Sequence, residues 1–129
     1  MKKIINTQNA PGAIGPYSQG ATHNGVLYIS GQLPINMQTG ELITGDITAQ
    51  TKQVLNHIKA ITEAAGSNLQ NILKTTVLLT NLSDFAAVNA AYAEFFPASP
   101  PARVCYQVAA LPKGAAIEID AICAVLENC

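Results

Sequence analysis

Positive charge is scarce in this chain, and almost all of it is lysine: Arg103 is the single arginine among seven basic residues. Charged residues make up 12% of the 129, about half the roughly 25% of an average soluble domain. There is no tryptophan, and the lysines are scattered singly beyond Lys2-Lys3. With a net charge of −1 and no basic patch, the chain offers a nucleic acid backbone little to hold, so no nucleic acid partner is expected. Two histidines, His23 and His57, lie far apart with no clustered ligands, which argues against a metal site. Three cysteines, Cys105, Cys123 and Cys129, form no disulfide framework, and a reducing, cytoplasmic location is the expectation. No apolar run reaches membrane-spanning length. The start, Met1 to Gln8, has two lysines but no apolar core after them, so neither a signal peptide nor a membrane partner is expected. Gly12-Ala13-Ile14-Gly15 precedes no strand–helix unit, so no phosphate-cradling loop is read there.

Hydrophobic residues are abundant, at 49%. With so few charges, part of the apolar surface must be covered by another molecule, and self-association is expected. The length fits a single domain, residues 1–129, with a sizeable core.

Residues 1–20 read as irregular, broken by Pro11-Gly12 and Gly15-Pro16. Val26–Ser30 reads as a short strand. Asp46 is a good N-cap for a helix whose apolar stripe is Ile47, Thr51, Val54, Leu55, Ile58, Ile61, Thr62 and Ala65, stopped by Gly66. Ile72–Thr80 is β-branched and apolar, a strand. Ser83 is placed to cap a second helix, from Asp84 to about Phe96, with Phe85, Val88, Tyr92 and Phe95 or Phe96 facing the core. Ala102–Ala110 and Ala116–Leu126 read as two more strands around a turn at Leu111–Gly114. The expected order is β-β-α-β-α-β-β: an α+β fold with two helices packed on one face of a mixed sheet.

Arg103 stands out because it heads an apolar, strand-like run, Pro100-Pro101-Ala102-Arg103-Val104-Cys105-Tyr106. A planar fork of donors on a strand suits bidentate grip of a carboxylate. Alternation puts Cys105 and Gln107 on the same face as Arg103, and puts Glu118 and Asp120 together on one face of the last strand. An acid inside Ile117-Glu118-Ile119-Asp120-Ala121 is costly to bury without a partner or a task. The simplest reading is a structural Arg103–Glu118 ion pair. A hairpin centred near Pro112-Lys113 would hold the two about 15 Å apart along the strands, leaving room for a ligand at a subunit boundary. Cys105 has no evident base and reads as a small buried thiol rather than a nucleophile. His57 falls on the polar–apolar border of the first helix. Tyr17 could simply pack, and Asn89, a poor mid-helix residue, could be a surface amide.

Five segments, in order, resemble one family: Ile14-Gly15-Pro16-Tyr17-Ser18-Gln19-Gly20, Ser30-Gly31-Gln32, Val88-Asn89-Ala90-Ala91-Tyr92, Pro101-Ala102-Arg103-Val104-Cys105 and Ile117-Glu118-Ile119. Together they resemble the RidA branch of the Rid (YjgF/YER057c) family, over about residues 4–125. The resemblance implies a chorismate-mutase-like fold and a homotrimer with three clefts between subunits. It implies hydrolysis of reactive 2-enamine and 2-imine acids, such as 2-aminoacrylate and 2-iminobutyrate, to 2-keto acids and ammonia, with no cofactor. It implies that Arg103 grips the substrate carboxylate, that Glu118 positions the attacking water, and that the backbone at Cys105 contacts the substrate. Tyr17, Ser30, Gly31 and Asn89 match further cleft positions. Two other readings stay open at this level: a non-catalytic sensor of small carboxylates in the same clefts, and an endoribonuclease or translation inhibitor.

Overall fold

The computed structural model describes residues 1–126; Cys129 and the rest of the tail beyond Leu126 lie outside the described residues. Eight main elements follow in order: β1 (Lys3–Ile5), β2 (Gly20–His23), β3 (Val26–Gln32), α1 (Ile47–Ala64), β4 (Ile72–Leu79), α2 (Phe85–Phe95), β5 (Ala102–Gln107) and β6 (Ile117–Ala124). They form a six-stranded mixed sheet in the order β1-β2-β3-β6-β4-β5, with both helices packed on one face. The α+β class is as expected. The strand order is not. Three strands rather than two precede α1, because Lys3–Ile5 pairs with Gly20–Thr22 and draws the supposedly irregular start into the sheet edge. Too short to carry a periodic pattern, β1 left no signal in the sequence.

The larger correction concerns the last two strands. They do not form a hairpin. β4 lies between them, antiparallel to β6 and parallel to β5. Parallel neighbours need a crossover long enough to turn the chain back, and α2 supplies it between β4 and β5. The segment after β5 then carries the chain past β4 to β6, which inserts between β3 and β4.

Local chemistry explains the elements. Asp46 Oδ1 accepts from the Thr48 N–H at 2.9 Å and starts α1, and Gly66 takes the left-handed φ of +79° that ends it. The second cap falls on Asn81, not Ser83: Asn81 Oδ1 accepts from the Ser83 N–H at 3.0 Å and opens a single 3₁₀ turn, Leu82–Asp84, ahead of α2. Along α1 the expected stripe is buried from Thr51 to Thr62, with Gln50 and His57 beside it, while its ends, Ile47 and Ala65, are half-buried. On α2, Val88, Ala91 and Tyr92 face the core, and Phe96 just beyond it is buried. Phe85 does not; it is 38% exposed at the rim.

Between helices and sheet, Leu27, Ile29, Val77, Leu79, Ile117, Ile119, Val54, Leu55, Ile58 and Ile61 form the core. The other sheet face is bare in this chain and carries Tyr28 and Tyr106, each about half exposed, with Val104 and Ile122. No helix among the described residues is long and apolar enough to cross a membrane.

Ile119 sits at the centre of this arrangement, on the strand that joins β3 to β4, and is fully buried. Ile119→Ala is expected to cost about 2–5 kcal/mol of unfolding free energy, read from denaturant titration. A loss below about 1 kcal/mol would contradict its place in the core.

Candidate functional site

The conspicuous residues fall into two clusters on opposite faces of the sheet. The first surrounds Arg103 on β5, the outer edge of the sheet. In the parallel register Arg103 sits beside Thr75 of β4, and Cys105 beside Val77. Thr75 and Val77 are fully buried against the helices, so the Arg103 side chain emerges on the helix face. There Nη1 donates to Asn89 Oδ1 of α2 at 2.8 Å. Asn89 is therefore not a free surface amide. The guanidinium also lies over the rings of Phe85 and Tyr92.

The β5 backbone adds to this cluster. The Val108 N–H donates to Leu79 O at 2.8 Å. Main-chain groups alternate sides along a strand, so those of Arg103 and Cys105, an odd number of residues away, turn outward to the unpaired edge. Burial pushes the Cys105 thiol above its ordinary range, and Arg103 only partly offsets this. That suits a packed thiol rather than an activated nucleophile.

The second cluster surrounds Glu118 on the bare face. β3 carries a bulge: Ile29 pairs with Ala121 but Gln32 pairs with Ile119, so Ser30 and Gly31 together oppose Asp120. The bulge brings the β3 backbone under the Glu118 side chain. A Cβ on Gly31 would lie 2.8 Å from Glu118 Cδ, so only glycine lets the carboxylate rest there. Ser30 Oγ donates to Ser18 O at 2.5 Å, and the Ser30 N–H donates to Gln19 O at 3.0 Å, which ties the bulge to the segment bearing Tyr17. Tyr17, Ser30, Gly31 and Glu118 all line one cavity of about 620 Å³, walled by Ile14, Leu33 and Met37. Desolvation, and then the neighbouring Asp120 charge, raise the Glu118 pKa above its usual value.

Arg103 and Glu118 do not meet. Arg103 is level with Thr75, Glu118 is level with Leu78, and β4 separates their strands. That places them about 10 Å apart along the strands and about 9–10 Å across them, with side chains on opposite faces. The structural ion pair is not formed; among the described residues the one salt bridge is Lys52–Glu94 at 3.4 Å. No group of three or more His, Cys, Asp or Glu among the described residues is arranged to hold a metal ion.

Several residues that shape the site escaped the sequence reading. Gln19, 2% exposed, donates from Nε2 to Thr7 O, Ala10 O and Pro11 O and accepts from the Thr7 N–H, fixing the loop beside the cavity. On the other wall, Gln53 Nε2 donates to Ile35 O at 2.8 Å, and His57 Nε2 meets the same carbonyl at 2.9 Å. His57 is thus an interior anchor of the loop after β3, not a border residue, and burial lowers its pKa, against the opposing hydrogen bond to Ile35. Gln19 lay inside a motif, but no sequence pattern tells a buried amide from an exposed one.

A family profile described as Endoribonuclease L-PSP matches residues 7–125. A RutC family protein of Pyrococcus horikoshii is 53% identical over 122 residues, covering 95% of this chain and 97% of that protein. The human 2-iminobutanoate/2-iminopropanoate deaminase is 46% identical over 122 residues, covering 95% of this chain and 89% of its own length. The crystal structure of Escherichia coli TdcF with bound serine superposes with a TM-score of 0.91 at 48% identity, covering 97% of this chain and 99% of that one.

Glu118 yields a pH prediction. Its folded pKa lies above the unfolded one, so the ionised carboxylate costs stability at neutral pH and costs nothing once both states are protonated. Glu118→Gln is expected to raise the melting temperature at about pH 8, with the gain vanishing by about pH 4. Thermal scans at both pH values check this; a lowered melting temperature at the higher pH would contradict a desolvated Glu118.

Proposed function

The chain belongs to the Endoribonuclease L-PSP family, the YjgF/Rid family, and on that footing we propose that it hydrolyses reactive 2-imino and 2-enamino acids to 2-keto acids and ammonia. One observation carries the reading: the only arginine sits at a sheet edge with a single donor used within the described chain, while a desolvated carboxylate lines a cavity on the opposite face. Neither arrangement serves stability well. Each suits one end of a small substrate that is anionic at one end and electrophilic at the other.

Arg103 binds the substrate carboxylate through its free N–H donors, and the outward main chain at Cys105 lies alongside. That anchoring sets the imine carbon in place. The carbon is already electrophilic, more so when its nitrogen is protonated, so positioning supplies most of the rate gain. Glu118 accepts a proton from a water as that water attacks, giving a carbinolamine. The raised pKa makes Glu118 a stronger base than an exposed glutamate and lets it return the proton to the departing ammonia. Tyr17, Ser30, Gly31 and Asn89 are the further substrate-side residues, and no cofactor or metal enters the scheme. The apolar wall of Ile14, Leu33 and Met37 fits an aliphatic side chain.

The two clusters serve one substrate only if they come from different copies of the chain. The bare sheet face, with Tyr28, Val104 and Tyr106, supplies apolar surface for such an assembly, and a homotrimer with clefts between subunits is the form proposed. The family description also carries an RNA-cleaving role. A net charge of −1 and a lone arginine give that role no physical support in this chain.

The test is release of ammonia and 2-ketobutyrate from freshly generated 2-iminobutyrate. Arg103→Ala should lose on the order of 100-fold in kcat/KM, the loss of a charge-assisted clamp. Arg103→Lys should also be poor, because an ammonium cannot reproduce the fork. Equal rates for wild type and Arg103→Ala would overturn the proposal.

A further inference from the structure

α2 turns Phe85, Asn89 and Tyr92 toward β5, at spacings of four and three residues along one helix face. All three meet the Arg103 guanidinium. Its Cζ lies 5.5 Å from the Phe85 ring centroid and 4.9 Å from that of Tyr92, and Nη1 donates to Asn89 Oδ1 at 2.8 Å. Both ring distances fall within reach of cation–π attraction. The Tyr92 ring is in turn held on two sides. Its hydroxyl shares a 2.7 Å hydrogen bond with Thr75 Oγ1, and its ring packs on Phe96 with centroids 4.8 Å apart. Thr75 is fully buried and is the β4 neighbour of Arg103 itself.

We propose that Phe85 and Tyr92, the latter braced by Thr75, are positioning residues that hold the Arg103 guanidinium ready for a carboxylate. The proposal rests on the carboxylate-clamp reading and extends it to residues that touch no reacting atom. The physical case is one of entropy and spare donors. A free arginine side chain samples many rotamers and loses that freedom on binding. Here two rings and one amide hold the group beforehand. The rings take up contact surface without consuming N–H donors, so four of the five remain for a ligand once Asn89 has taken one. This also accounts for Phe85, left 38% exposed on a helix whose other large aromatics, Tyr92 and Phe95, are buried and half-buried.

The unique arginine makes the test direct. In protein labelled with 15N-arginine, the side-chain Nε–Hε resonance belongs to Arg103 alone. In the wild type it should be displaced by ring currents from the position of free arginine, and should move again on titration with 2-ketobutyrate. Phe85→Leu keeps an apolar side chain at an exposed site, so the fold is retained. In that variant the resonance should shift toward free arginine, and the Kd for 2-ketobutyrate and the KM for 2-iminobutyrate should rise about two- to fivefold with kcat little changed. Phe85→Tyr restores a ring and should restore both readouts. A Phe85→Leu protein with wild-type resonance and wild-type affinity would overturn the positioning role while leaving the clamp intact. A wild-type resonance that does not respond to 2-ketobutyrate would overturn the clamp reading, and the positioning role with it.

Discussion

β4 hydrogen bonds to β5 on one side and to β6 on the other, and the placement of every candidate group follows from that. The pairing with β5 is parallel, so α2 must cross over the sheet to connect the two strands. In crossing, α2 lays Phe85, Asn89 and Tyr92 against the β5 edge and fixes the face on which Arg103 is received. The pairing with β6 is antiparallel, and its register turns Glu118 to the other face, beside the bulge in β3. One strand thus keeps the arginine and the glutamate apart within the chain. Their separation is built in by topology rather than left to side-chain flexibility.

That separation gives the scarcity of charge a purpose. An arginine and a glutamate within reach of each other would pair and satisfy themselves. Held on opposite faces, each keeps unused capacity: spare donors on Arg103, and a raised pKa on Glu118. Polar side chains around them are spent on shape instead. Gln19 fixes one wall of the cavity through four hydrogen bonds, and Gln53 and His57 fix the other through a single carbonyl.

Much of this was legible in the residues, for physical reasons. Both helices and four of the six strands are long enough to show periodicity, and Asp46 and Gly66 mark the ends of α1 by chemistry that needs no tertiary context. Alternation placed Arg103 with Cys105, and Glu118 with Asp120, correctly. What could not be read was pairing. Proximity along the chain suggested a β5–β6 hairpin, and only the packing of α2 decides that β4 comes between. Helical spacing points Phe85 to the core, as it does most aromatics; its actual neighbour, the Arg103 guanidinium, lies 18 residues later in sequence. The amides and His57 that hold the cavity walls are interior polar groups, whose partners are backbone carbonyls invisible to any motif. The family resemblance, by contrast, extended over the chain as a whole, and the comparisons agree with it.

Mixing two inactive chains tests the division of the site between copies most directly. Arg103→Ala retains the Glu118 cluster, and Glu118→Gln retains the Arg103 cluster. When the two are co-assembled, some boundaries between unlike copies receive an intact cluster from each. The mixture should then hydrolyse 2-iminobutyrate well above either parent, while the double variant Arg103→Ala/Glu118→Gln mixed with wild type gains nothing beyond dilution. A mixture of the two single variants that stays as inactive as its parents, with co-assembly verified, would contradict a site shared between copies.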